Sequence, residues 1–206
     1  MRAHRHLGGL GHLALVMGLS LGGLLSGPAA AQSNIASKAL PVTGNAPDVC
    51  AIQNPRLQAG SQVNFTGIDG NTLQILQFTD PQTLAIRAAR ITVAFAAVCN
   101  FPHRLRIQSE NNGLWPTDGR VSGGASGFAY AVPYQAQVTW DGTSSSLRTD
   151  GKVRQLVQQV VNIDEPAAGD ISLSLDIAEG ASNVAVNAPV LAGNYADTVR
   201  IFLEPR

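Results

Sequence analysis

Apolar side chains recur at every second position in four separate stretches of this 206-residue chain, and two is the side-chain period of a β-strand. Within Ile91 to Cys99, the residues Ile91, Val93, Phe95, Ala97 and Cys99 share one face. Tyr130, Val132, Tyr134, Ala136, Val138 and Trp140 share another, with Pro133 favouring an edge or a bulge there. Ile171, Leu173, Leu175 and Ile177 alternate with Ser172, Ser174 and Asp176, and Tyr195, Val199, Ile201 and Leu203 form the face of a closing strand. Leu105 and Ile107 resume the alternation beyond Pro102. Turn residues such as Asn111-Asn112-Gly113 and Asp141-Gly142 fall between these stretches, so the expected fold class is an all-β sandwich. One segment is ambiguous. Val153, Leu156, Val157, Val160 and Val161 follow helical spacing between Lys152 and Asn162, whereas their β-branched side chains suit a strand, and both readings stay open.

The chain opens with Arg2 and Arg5, continues through an apolar, Gly-rich run from Leu7 to Leu25, and reaches the small residues Pro28-Ala29-Ala30-Ala31. That order predicts a secretory signal peptide over 1–31, cleaved before Gln32, and no later run is long enough for stable membrane insertion. Residues 32–49 carry Pro41, Gly44 and Pro47 without periodicity and read as an N-terminal arm, leaving 50–206 as one sandwich domain. The whole chain has 14 basic and 14 acidic residues; loss of Arg2 and Arg5 leaves a slightly acidic balance. No basic stripe is present, which removes the electrostatic case for a nucleic-acid partner.

Two cysteines, Cys50 and Cys99, in an exported chain are expected to form a disulfide. Catalytic chemistry finds little footing. The mature chain holds a single histidine, His103, beside Pro102 and Arg104, and no Gly-x-Ser-x-Gly elbow accompanies it, so the expectation is a non-enzyme without cofactor or metal. Asp69-Gly70-Asn71 and Asp164-Glu165 lack a metal-ligand spacing and read as turns, and Asn64-Phe65-Thr66 matches the short glycosylation sequon. Trp115, between Gly113 and Pro116, is expected at the surface. With the Gly-rich loop Val121 to Gly127 it defines an alternative function: a secreted β-sandwich binding module for carbohydrate or a host protein. A hydrolase using His103 is the third reading.

The closing strand leaves few residues behind it, so its neighbour is expected from another polypeptide by β-strand addition. Three stretches also resemble subunits of chaperone-usher pili, in particular the spore coat protein U-like branch. They are Cys50 after an extended arm, Ile91-Thr92-Val93-Ala94-Phe95-Ala96-Ala97-Val98-Cys99-Asn100 running into Leu105 to Leu114, and the ending Leu191-Ala192-Gly193-Asn194-Tyr195-Ala196-Asp197-Thr198-Val199. The resemblance implies an incomplete immunoglobulin-like, pilin-type sandwich lacking its final strand. It also implies export through the inner membrane to the periplasm, a periplasmic pilus chaperone, an outer-membrane usher and other pilus subunits as partners, and a place in a fibre at the cell surface, where adhesion is the usual role. Cys50 and Cys99 would then be the disulfide joining the first two strands of the family fold. Tyr195, Val199, Ile201 and Leu203 would wall the acceptor groove, and the terminal carboxylate of Arg206 would anchor the chaperone. The donor residues would be Ile35, Leu40 and Val42 of the arm. The register Ala36, Lys38, Leu40, Val42, Gly44 departs from the pattern, with a charge where a polymerising subunit carries an apolar plug; Ile35, Ser37, Ala39, Pro41 is no better.

Overall fold

The computed structural model describes residues 36–119 and 127–206, and in them the chain forms strands and no helix. The signal segment, residues 32–35 of the arm including Ile35, and 121–126 of the Gly-rich loop lie outside the described residues. The chain divides into two units, 1–44 and 45–206. In the first, residues 36–44 form no strand. The second begins before Cys50 because Asn100 holds the segment ahead of it: its Nδ2 donates to Pro47 O (2.9 Å), its Oδ1 accepts from Val49 N–H (2.8 Å), and its own N–H donates to Val49 O (3.1 Å).

The strands are β1 (Cys50–Val63), β2 (Phe65–Asp69), β3 (Thr72–Ile75), β4 (Ala89–Cys99), β5 (His103–Ser109), β6 (Trp115–Pro116), β7 (Gln135–Trp140), β8 (Thr143–Arg148), β9 (Val157–Ile163), β10 (Ala167–Ile177), β11 (Tyr195–Ala196) and β12 (Val199–Pro205). Five of them make an antiparallel sheet in the order β1-β4-β10-β7-β8, and three make a second in the order β12-β5-β9. Ile91 and Val93 of β4, Ile171 and Leu173 of β10, and Val138 of β7 bury in the same core as Leu105 and Ile107 of β5 and Ile163 of β9. This is an all-β, antiparallel architecture consistent with a β-sandwich. Cys50 and Cys99 stand directly opposite in the β1–β4 register and form the disulfide.

Two expectations change and one open reading is settled. The stretch from Tyr130 to Trp140 keeps its buried face, but only Gln135–Trp140 is strand. Pro133 has no N–H to donate, and the segment ahead of it makes one isolated bridge, Val132 to Leu114. The closing strand is two: β11 pairs with β6, β12 pairs with β5, and Asp197 and Thr198 separate them. The ambiguous segment contains a strand, β9, whose Val157, Val161 and Ile163 pack against the core while Val160 stays exposed. The turns obey local chemistry. Asp141 (φ 47°) and Gly142 (φ 71°) make the two-residue β7–β8 hairpin with both residues left-handed.

The hairpin β2–β3, joined by Gly70-Asn71, pairs only with itself, and its apolar residues Ile68, Leu73 and Ile75 pack onto the core. Asn64 fixes its root. Its Nδ2 donates to Gln77 O (2.8 Å) and Ala88 O (3.1 Å) and its Oδ1 accepts from Gln77 N–H (2.8 Å), a structural use of the sequon asparagine.

Candidate functional site

A cavity of about 920 Å³ opens between β1 and β12. Its floor is the inner face of the five-stranded sheet, with Val93 and Phe95 of β4 and Leu173, Leu175 and Ile177 of β10. Val199 and Ile201 form one rim, and Ile52 and Pro55 of the edge strand β1 form the other. Phe65, Leu73 and Ile75 of the hairpin also line this groove, together with Phe78 and Tyr195, whose rings lie 5.1 Å apart. Asn54, Asn71, Gln74 and Asn194 supply polar groups to the lining, and Asp197 is its one charged residue among those described.

The rim strand β12 has an unpaired edge. Glu110 N–H donates to Thr198 O (3.1 Å), so the peptide of Thr198 faces β5. Backbone groups alternate sides along an antiparallel strand, which turns the N–H and C=O of Val199, Ile201 and Leu203 away from β5. No strand among the described residues pairs with that edge. Pro205 lacks an N–H, and the row of free donors therefore ends at Leu203. The outer face of β12 is closed differently. Arg106 of β5 stacks its guanidinium 3.8 Å from the centre of the Phe202 ring and pairs with Glu204, whose carboxyl its hydrogen bond holds below the ordinary range.

Asp197 sets the corner between β11 and β12. Its Oδ2 accepts from the Tyr134 hydroxyl (2.6 Å) and from Ser109 Oγ–H (2.5 Å). Its Oδ1 accepts from Asn111 N–H (2.9 Å), Asn111 Nδ2 (3.1 Å) and Thr198 N–H (2.7 Å). Five donors leave this carboxylate little capacity for a ligand. Burial first, then the charge of Asp197 and the hydrogen bond to it, push the Tyr134 hydroxyl above the usual phenol range. Tyr195 is tied separately, its hydroxyl donating to Leu191 O (2.9 Å). Tyr195 and Asp197 thus shape this corner from two places in the same short segment.

Of the residues singled out in the sequence, Tyr195, Val199 and Ile201 line the groove, while Leu203 packs against the core beyond the cavity lining. The Arg206 side chain pairs with Asp164, and Leu40 and Val42 of the arm are exposed. Trp115 requires a correction. It is 2% exposed, with its ring 5.7 Å from and tilted against that of Tyr130 and its backbone paired with Ala196 of β11, so it offers no surface for recognition. His103 begins β5 and is fully buried. Its Nδ1 lies 2.8 Å from Phe101 O, which can only accept, so Nδ1 carries the proton and Nε2 accepts from Trp140 Nε1–H at 2.8 Å. Both ring nitrogens serve the fold. The walls supplied by Phe65 and Phe78, and the role of Asp197, were missed in the sequence; alternation at Phe65-Gly67 and the turn Asp69-Gly70-Asn71 were the available signals for the hairpin. No family model matches the chain, and no curated protein matches it either.

Proposed function

We propose that this chain is a structural subunit of a chaperone-usher type surface pilus or coat, assembled by donor-strand complementation. In this reading the fold is an incomplete immunoglobulin-like sandwich, and the groove takes a strand first from a periplasmic chaperone and then from another subunit presented at an outer-membrane usher. The observation that carries it is the unpaired β12 edge running beside an apolar groove. A strand laid there gains main-chain hydrogen bonds from Val199, Ile201 and Leu203 on one side and covers apolar side chains on the other, the two contributions of β-strand addition. The chemistry of the lining agrees, since its one carboxylate is saturated by donors from within the fold.

Ile201→Arg is the direct test. The guanidinium would enter the groove, where it has no free acid, and block the seat of an incoming strand. The expected result is a folded, oxidised protein that is exported but missing from surface fibres, scored by immunolabelling of intact cells against a periplasmic extract. Undiminished surface incorporation would count against the proposal.

A further inference from the structure

We infer that β8 is an interface between two copies of this chain: the strand pairs antiparallel with its own counterpart, Ser145 opposite Ser145, and joins two five-stranded sheets into one. The edge concerned lies across the larger sheet from β1, and the inference stands whether or not the groove accepts a strand.

β8 is the outer strand of its sheet and is hydrogen-bonded to β7 alone. The two-residue turn at Asp141-Gly142 fixes which of its backbone groups are used. Trp140 and Thr143, which flank the turn, form a hydrogen-bonded pair, and the alternation carries on through Val138–Ser145 and Ala136–Leu147. The same phase holds beyond the strand, where Thr149 N–H donates to Tyr134 O (3.0 Å). The N–H and C=O of Ser144, Ser146 and Arg148 therefore point away from β7, and no strand among the described residues meets them. Natural sheet edges are commonly blocked by proline, a bulge or charge. Between Thr143 and Leu147 β8 has none of these: its register against β7 is uninterrupted, and hydroxyl side chains fill Thr143 to Ser146. β1, the opposite edge, has Pro55 and two register breaks.

Charge selects both the occupant and the register. Arg148 and Asp141 are exposed at opposite ends of β8 and form no ion pair among the described residues. In an antiparallel pair each end of β8 meets the other end of its counterpart. With Ser145 on the axis, Ser144 faces the partner's Ser146, and Arg148 falls opposite the partner's Gly142, beside the partner's Asp141, an attraction that symmetry repeats. Only shifts of two residues keep the inner faces of both sheets on one side. One such shift sets Asp150 against the partner's Asp141 turn, acid beside acid. The other runs Arg148 past that turn and forms fewer main-chain bonds. Hydroxyls extend the match on the outer face, where Thr139 Oγ1 and Ser144 Oγ lie 2.9 Å apart and the partner's Ser146 continues the row.

The test uses the purified, oxidised protein. Sedimentation is expected to show a monomer–dimer equilibrium in which Arg148→Glu weakens the dimer about fivefold. Most of that penalty is expected to vanish in the presence of Asp141→Asn, a substitution that the left-handed φ of the turn tolerates. Under mild oxidation Ser145→Cys is expected to give a covalent dimer roughly tenfold faster than Ser144→Cys or Ser146→Cys, since Ser145 alone faces itself across a non-hydrogen-bonded pair. Ile201→Arg, which obstructs the groove, is expected to leave the dimer intact. A dimer lost with Ile201→Arg would assign self-association to the groove and overturn the inference. A protein monomeric up to about 0.5 mM would also overturn it. So would equal cross-linking at the three positions, faster cross-linking at Ser144 or Ser146, or an Arg148→Glu penalty undiminished by Asp141→Asn.

Discussion

Asp197→Ala is expected to lower the stability of the domain by about 3 kcal/mol, read as a fall of roughly 6–12 °C in melting temperature. The substitution removes the acceptor for five hydrogen bonds and leaves the buried Tyr134 hydroxyl and Ser109 Oγ without their partner. The loss is local in origin and functional in reach, because Asp197 forms the corner from which β12 sets out along the groove. Tyr134 adds a signature in pH. The folded state holds its hydroxyl above the ordinary phenol range, so its contribution is fully present below about pH 10, where the unfolded tyrosine begins to ionise, and is lost as pH rises beyond that. Tyr134→Phe is expected to flatten the alkaline limb of the stability curve. An unchanged alkaline slope would show that the Tyr134–Asp197 bond contributes nothing to it.

Loss of the disulfide has an effect of similar size. Cys50 and Cys99 are 49 positions apart, and for a closed loop of that length the chain-entropy model gives about 4 kcal/mol. The bond joins the edge strand β1 to the centre of the sheet at one end of their pairing, where β1 otherwise depends on a register interrupted twice, between Ile52 and Pro55 and between Leu57 and Gln62. The double variant Cys50→Ala, Cys99→Ala is therefore expected to unfold at a denaturant midpoint well below that of the oxidised protein. Because β1 is a rim of the groove, it should also bind a donor strand more weakly. Equal midpoints for the two forms would contradict this account of β1.

The strands that alternate strictly were legible in the sequence. β4 and β10 carry uninterrupted two-residue periods and lie side by side at the centre of the larger sheet, where one face must be buried. The register of the groove was partly legible for the same reason, through Val199 and Ile201. What could not be read was set by distant partners. Trp115 is buried in β6, whose strand partner is the distant β11, and the donors to Asp197 include Tyr134, 63 positions away, and Ser109, 88 positions away. Local pattern carries no record of such pairings. The break between β11 and β12 follows from the same carboxylate: it draws the Thr198 N–H to its own side chain at the point where a continuous strand would have used it in a ladder. The valines of β9 show the converse. Their spacing fitted a helix, and the register against β5, with Val161 opposite Leu105 and Val157 opposite Ser109, decided for a strand.

The central claim, that β12 presents a free edge to a groove made for a strand, is tested most directly by residue-resolved amide hydrogen exchange on the monomeric, oxidised protein. The account predicts an alternation along β12: fast exchange at Val199, Ile201 and Leu203, slow exchange at Arg200, Phe202 and Glu204, and protection of the three fast amides when a complementary strand is added. Slow exchange at Val199, Ile201 and Leu203 in the isolated protein would mean that the edge is already satisfied, and would contradict it.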